Sequence, residues 1–226
     1  MTRRHFMKTR QLAAVLLTVI LAGCRPSASP SDFTTSELEL IRTSPSDSSV
    51  TPSGTMRVLT IEDEADLAVL RAQSTDISAR SLRSADYASL CSLMVATVTH
   101  PSQDGVGIAG PQVGLNRRVV AVQRFDKAGE PFEVYPNIRI VWASDSTAFG
   151  PEGCLSVPDR RGNVLRSQEI VVEYASVPAS ASEVSSCESF HEHNLATVRD
   201  TVRGFTAVIF QHEIDHLEGI LYIDRL

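Results

Sequence analysis

The chain has 226 residues, 42% of them hydrophobic and 21% charged, with a formal net charge of −6. These values exclude collagen-like, wholly disordered and polytopic membrane classes, and the length suits one folded domain with its own core. An acidic chain repels phosphate backbones, so no nucleic-acid partner is expected, and four cysteines are too few for a disulfide scaffold.

The charge is unevenly spread. Residues 1–23 carry Arg3, Arg4, Lys8 and Arg10 and no acid, which leaves 17 basic against 27 acidic residues elsewhere, a net charge of −10. An uninterrupted run of apolar or small residues covers 12–22. Eleven helical residues rise about 16 Å, well short of a hydrocarbon core about 30 Å thick. A short apolar run behind positive charge reads as a secretory signal, 1–23. It ends in Leu21-Ala22-Gly23-Cys24, which resembles the lipobox of bacterial lipoproteins. That resemblance implies lipidation of Cys24 and an exported protein held on a membrane of the cell envelope. Arg3-Arg4 before Phe6, Met7 and Lys8 also resembles a twin-arginine signal, which exports cargo already folded. Residues 24–55 are rich in Ser, Thr and Pro, broken only by Leu38, Leu40 and Ile41. This composition buries too little apolar surface to offset ordering, so a flexible tether is expected there. Residues 56–226 form the folded domain.

Within that domain, 57–61 is expected to be a short strand or extended arm and 65–72 a weak helix. Leu90, Leu93, Met94 and Val98 recur at helical spacing and predict an amphipathic helix over 84–98. Gly105, Gly107, Gly110 and Gly114 mark a loop. Strands are expected over 118–123, 132–135, 138–142 and 169–174, with Asp126-Lys127-Ala128-Gly129 turning the first hairpin. A polar, Ser-rich insertion covers 177–194, and 195–198 resumes the sheet. A helix over 205–217 stops before Gly219. Strands between two main helices predict an α+β fold.

His212-Glu213-Ile214-Asp215-His216 is the sharpest chemical signal. Histidines four apart on a helix point the same way and can share one metal ion, with Glu213 beside the water as a base. Phe205 and Ile209 fall on the same face, so these ligands are expected on a buried side. A catalytic site needs a third protein ligand. Cys154, in Gly150-Pro151-Glu152-Gly153-Cys154-Leu155-Ser156, can present a thiolate, although a lone cysteine is as readily a small core residue. The dense glycines of 105–114 allow a substrate backbone to approach closely, and the Gln112 amide can meet a developing oxyanion. A phosphate loop does not fit, since no Lys-Ser/Thr follows.

Taken in order, the three segments resemble the peptide deformylases. The family pattern Gly-x-Gly-x-Ala-x-x-Gln is met by Gly105, Gly107, Ala109 and Gln112. Glu-Gly-Cys-Leu-Ser is met by Glu152 to Ser156, and His-Glu-x-x-Asp-His is answered by His212, Glu213, Asp215 and His216, with only Ile214 between Glu213 and Asp215. The resemblance covers roughly 56–226 and implies a deformylase-like catalytic domain with mixed or antiparallel sheets around a C-terminal metal-binding helix. It implies that Cys154, His212 and His216 hold one divalent metal, iron(II) in the usual family form, with zinc or nickel as alternatives. It implies hydrolysis of the N-formyl group of formylmethionyl peptides, releasing formate. Glu213 would move the proton, while the Gln112 amide and the Leu155 N–H would meet the oxyanion. Val106 and Gly107 would pair with the peptide backbone, Phe205 and Val208 would line a methionine pocket, and Glu152 with Arg166 would support the ligands. A monomer is expected.

Several features depart from the family pattern. Gly110 stands where Ala is commoner, Pro136-Asn137 reverses the usual order, residues 179–193 are inserted, and the family's extra C-terminal helix is absent from this sequence. Cys91 is assigned to the core. Cys187, His191 and His193 are assigned to a loop rather than a second metal site, and a Cys91–Cys187 disulfide is disfavoured. Two other functions stay open at this level: an exported HExxH metallopeptidase, and a non-catalytic metal-binding surface lipoprotein on the same scaffold.

Overall fold

The computed structural model describes residues 31–43, 54–177 and 195–226. The signal region, Cys24 and the insertion with Cys187, His191 and His193 lie outside the described residues. Among the described residues, no helix is long and apolar enough to cross a membrane.

The chain begins with an arm that corrects the expected tether. Residues 31–34 run extended into helix α1 (Thr35–Thr43). Thr34 and Glu37 start this helix reciprocally: Glu37 Oε2 accepts the Thr34 N–H at 2.7 Å, and Thr34 Oγ1 accepts the Glu37 N–H at 3.3 Å. Phe33 and Ile41 are buried, with Leu38 and Leu40 packed beside them on the core. The apolar break in an otherwise polar segment is therefore a docking face. Arg117, only 4% exposed along its side chain, fixes the arm. It donates to both Glu37 carboxylate oxygens at 2.6 and 2.7 Å, to Ser31 Oγ at 2.6 Å and to the Asp32 carbonyl at 2.7 Å.

After an extended stretch over 55–60, two short helices follow, α2 (Glu64–Leu70) and α3 (Ala79–Leu82). The Asp63 carboxylate caps α2, accepting from Ala65 N–H at 2.8 Å and Asp66 N–H at 3.0 Å. Helix α4 (Ala85–Val98) starts at Ser84, whose hydroxyl accepts the Tyr87 N–H at 3.2 Å. Its Tyr87, Leu90, Met94 and Val98 form the buried stripe.

The sheets are antiparallel throughout. Strands β1 (Gly107–Ala109), β2 (Val119–Gln123) and β3 (Phe132–Pro136) form one sheet in that order. The glycine loop expected at 105–114 is thus partly ordered, as β1 and a 3-10 turn at Gly110–Val113. Gly110 has a steric reason here: a Cβ would sit 2.6 Å from the Arg117 carbonyl oxygen. Strand β4 (Arg139–Ala143) edges a second sheet, and strands β5 (Thr147–Cys154) and β6 (Val157–Ser167) form a long hairpin. Strands β7 (Glu169–Ala175) and β8 (Thr197–Arg203) complete the second sheet, ordered β4-β7-β8. In the sequence, strand character along this hairpin is confined to about 150–158, because Gly150, Pro151, Gly153 and the Arg160-Arg161-Gly162 run interrupt any alternation. Asn137 adopts φ 54° just after β3. Its amide bridges the Ile77 backbone at 2.8 and 2.9 Å, giving the reversed Pro136-Asn137 pair a turn of its own.

Helix α5 (Gly204–Leu217) lies at the centre. Ala207, Ile209, Phe210, Ile214 and Leu217 pack on Val120, Val122, Ile170, Val172 and Val202 from two sheets. A 3-10 turn at Tyr222–Arg225 then folds back against the hairpin.

Docking of the arm predicts that Glu37→Ala destabilises the protein by about 2–3 kcal/mol. That is below the ~3–5 kcal/mol of a fully buried broken pair because Glu37 keeps some solvent contact. Denaturant unfolding measures it; a change within about 0.5 kcal/mol of wild type, the ordinary range for surface substitutions, would mean that the arm does not dock through Arg117.

Candidate active site

Two elements meet to form the site. The hairpin ends at a two-residue turn, Leu155-Ser156, and places Cys154 at the end of β5. Helix α5 brings His212 and His216 one turn apart, with ring centroids 5.0 Å from one another. Cys154 Sγ and one nitrogen of each histidine all lie within 4.8 Å of one another. Cys154 Sγ is 3.3 Å from His216 Nε2. His212 Nδ1 is hydrogen-bonded to Glu152 Oε2 at 2.8 Å, which leaves its Nε2 as the free donor. One thiolate and two imidazoles, converging without a fourth donor among the described residues, suit a divalent transition metal with an open position.

Glu152 and Arg166 are both 5% exposed along their side chains. Arg166 donates to both Glu152 oxygens at 2.7 and 3.0 Å, and to Asp215 Oδ2 at 2.6 Å. Burial raises the Glu152 carboxyl, but hydrogen bonds from His212 and Arg166 outweigh it and hold it down at about 2. Glu152 is therefore a fixed anion behind His212.

Set by the protein's own groups, the two imidazoles titrate apart. Burial works against charge on His212, yet hydrogen bonds to Cys154 and Glu152 prevail and push it up to about 10. His216 is held well below the usual range by burial and by the nearby charges of His212 and Arg166. Were Cys154, His212 and His216 to hold a metal, His212 would have to give up a proton, whereas His216 is held neutral by its surroundings.

Glu213 lies on the same helix and is buried, and its Oε2 has no hydrogen-bond partner among the described residues. Burial pushes its carboxyl up to about 7, with the His212 charge opposing. Strand β1 passes directly over it: a Cβ at Gly107 would collide with Glu213 Oε1. Glycine at 107 is thus what lets the strand and the carboxylate approach.

Gln112 is 1% exposed. Its Oε1 accepts the Ala109 N–H at 2.8 Å, and its Nε2 donates to Ser156 Oγ at 3.2 Å and towards Cys154 Sγ at 3.5 Å. The amide is held rigidly beside the sulfur.

These groups open into a cleft of about 710 Å³. Val106, Gly107, Leu155, Phe205 and Val208 line it, as do Gln112, Cys154, His212 and Glu213. Among the described residues strand β1 pairs with β2 alone, and Gly107 at its start lines this space. Phe205 corrects one expectation: although one face of α5 is buried, Phe205 is 57% exposed at the rim, its ring 5.3 Å from that of Phe125. Cys91 is free and half-buried against the core, and burial pushes its thiol up to about 11, outside the reactive range.

Sequence reasoning missed several participants. Asp215 is one, although it stands inside the histidine motif. An acid on the buried face of a helix requires a cation, and that signal was available. Tyr222 and Arg225 carry no pattern in the sequence that places them here. The same holds for Asp104, Asp159 and Arg160, which line the outer cleft.

The profile of the family described as polypeptide deformylase matches residues 55–226. A peptide deformylase of Leptospira biflexa serovar Patoc is 33% identical over 166 residues, spanning 70% of this chain and 82% of that protein. Another, from Caulobacter sp. (strain K31), is 34% identical over 173 residues, or 75% and 87% of the two chains. Among solved structures, a class I type b peptide deformylase from Acinetobacter baumannii, with Met-Ala-Ser bound, matches with a TM-score of 0.61 and 32% identity. That match covers 76% of this chain and 98% of the other. The Thermotoga maritima enzyme matches with a TM-score of 0.60 and 28% identity over 76% and 97%. The chain therefore belongs to the polypeptide deformylase family, and it is a hydrolase that removes the formyl group from N-formyl peptides.

Proposed function

We propose that Cys154, His212 and His216 hold one iron(II) ion, with zinc or nickel as alternatives, and that Glu213 is the proton-transfer group. The observation that carries this reading is the meeting of three convergent donors with a buried, unpartnered carboxylate under a strand edge. The metal, when bound, supplies Lewis-acid polarisation and an acidified water. Glu213 takes a proton from the attacking water and passes it to the departing amine; a carboxyl raised by burial suits both transfers. The Gln112 Nε2–H and the Leu155 N–H face the oxygen on which charge develops. The peptide adds to the open edge of β1 at Val106 and Gly107. Its methionine side chain lies against Val208 and Phe205, with Phe125 supporting the outer ring. The peptidase alternative lacks support, because the chain matches deformylases along most of its length.

The proposed protein is a monomer, exported and anchored to a membrane through lipid on Cys24, with the lipobox-like sequence as its support. Cys24→Ser is expected to move it from the detergent phase to the aqueous phase in phase partitioning of cell envelopes; unchanged partitioning overturns the anchor. Metal analysis of protein isolated from that envelope identifies the ion.

Activity is tested by formate release from formyl-Met peptides. Glu213→Gln is expected to lower kcat by at least 10²-fold, the lower range for losing a general base, while metal content stays at one per chain. Turnover within tenfold of wild type removes Glu213 from the proton path.

The same carboxyl predicts a pH dependence of stability. A folded-state value near 7 against the usual 4.5 means that burial penalises the ionised form. Its favourable contribution is complete below about pH 4.5 and is lost as pH rises through 7. In protein stripped of metal, Glu213→Gln should match wild type near pH 4.5 and exceed it above pH 7, by at most about 3 kcal/mol at ~1.36 kcal/mol per pH decade. Parallel stability curves for the two proteins would contradict this.

A further inference from the structure

We infer that Arg225 is a positioning residue for the metal centre, acting through a relay of alternating charges that ends on His212. The inference rests on the reading of Cys154, His212 and His216 as ligands.

The relay is continuous. Arg225 donates from Nε to Asp215 Oδ2 and from Nη2 to Asp215 Oδ1, both at 2.5 Å. Asp215 Oδ2 also accepts from Arg166 at 2.6 Å. Arg166 forks onto Glu152 at 2.7 and 3.0 Å, and Glu152 accepts from His212 Nδ1 at 2.8 Å. Two carboxylates and two guanidinium groups balance. Without Arg225, Asp215 and Glu152 share Arg166 alone, and the buried set carries one excess negative charge. Arg166 is then drawn towards Asp215, and its fork on Glu152 loosens. Because Glu152 orients the His212 ring, the disturbance reaches a ligand that Arg225 never touches.

The turn that delivers Arg225 is itself fixed on three sides. Asp224 pairs with Arg71, its second contact at 3.0 Å, and its Oδ2 accepts the Leu221 N–H at 2.9 Å. The Tyr222 ring stacks near the His212 ring, 6.0 Å between centroids and 23° from parallel. Leu226 fills the space beside Gly162 on β6, the cross-strand partner of Glu152. One short turn thus meets both the His212 ring and the hydrogen-bond chain behind it. Asp215 does not line the cleft, so its two arginines have no direct path to substrate.

The test separates positioning from simple bracing. Zinc affinity is measured by chelator competition on the intact protein for wild type, Arg225→Gln, Arg225→Lys, Asp215→Asn and the Gln/Asn double variant. Outer partners of metal ligands typically change affinity 10- to 100-fold, and Arg225 is one step further out and part-exposed. Arg225→Gln is expected to bind zinc about 10-fold more weakly and to lower kcat with KM unchanged. Arg225→Lys, which keeps the charge without the fork, should recover part of the loss. The double variant should bind no more weakly than Asp215→Asn alone, since both act on one path. Unchanged zinc affinity in Arg225→Gln overturns the inference, even if the variant unfolds more easily, as does a full further loss in the Asp215→Asn background. Should Arg225→Gln fail to fold, the same comparison is read from Arg225→Lys. Cys154→Ser is run alongside: if it leaves zinc affinity unchanged, the ligand reading itself has failed, whatever Arg225 does.

Discussion

The hydrogen bond between His212 Nδ1 and Glu152, 2.8 Å long, joins the two elements on which everything else depends. Glu152 belongs to the hairpin that carries Cys154, and His212 belongs to the helix that carries Glu213 and His216. Neither element has a complete donor set. The Glu152 carboxylate ties one to the other, selects which nitrogen of His212 is free and, together with Cys154, favours its charged form. Burying that carboxylate would be costly alone, because an unpaired ion in a protein interior loses several kcal/mol of hydration. Arg166 compensates it, and Asp215 in turn compensates Arg166. The cost of desolvation is thus spread along a neutral set, while Glu213, one residue from His212, is left without such a partner. Burial raises both carboxyls; hydrogen bonds from His212 and Arg166 hold Glu152 low, while burial prevails at Glu213.

Much of this was legible in the sequence because it rests on local spacing. The i and i+4 histidines share a helix face by geometry, and the apolar stripe of α4 follows from Leu90, Met94 and Val98. The strands with continuous β-branched runs, such as β2 and β7, were equally visible. What escaped was long-range. The β5–β6 hairpin is built of Gly, Pro and Arg, and it is ordered by what its inward residues meet, Glu152, Val164 and Arg166 among them. Arg225 and Tyr222 act from a turn whose partners lie on other elements. Polar composition alone predicts a tether where the arm docks. The reciprocal Thr34–Glu37 cap was present in the letters, but the cation that secures it, Arg117, lies 80 residues away.

That arm also alters how the domain boundary is understood. The family profile begins at residue 55, yet Phe33 and Ile41 belong to the same buried cluster as Leu90, Met94 and Ile108. The core therefore extends beyond the part that resembles other deformylases. Its extension adds the buried Phe33 and Ile41 and is tied down by ionic contacts to a buried arginine, which suits a short segment with few large side chains.

The order of the ligands along the chain has a temporal consequence. His212 follows Cys154 by 58 residues. At a synthesis rate of roughly 5–20 residues per second, the hairpin thiol exists for about 3–12 s before the first imidazole does. During that interval neither His212 nor His216 stands beside the sulfur, and a free thiol is open to the first steps of oxidation. The vulnerable period ends only when α5 docks. A compartment in which the whole chain folds before meeting oxidants therefore shields Cys154 through the interval in which neither histidine yet stands beside it.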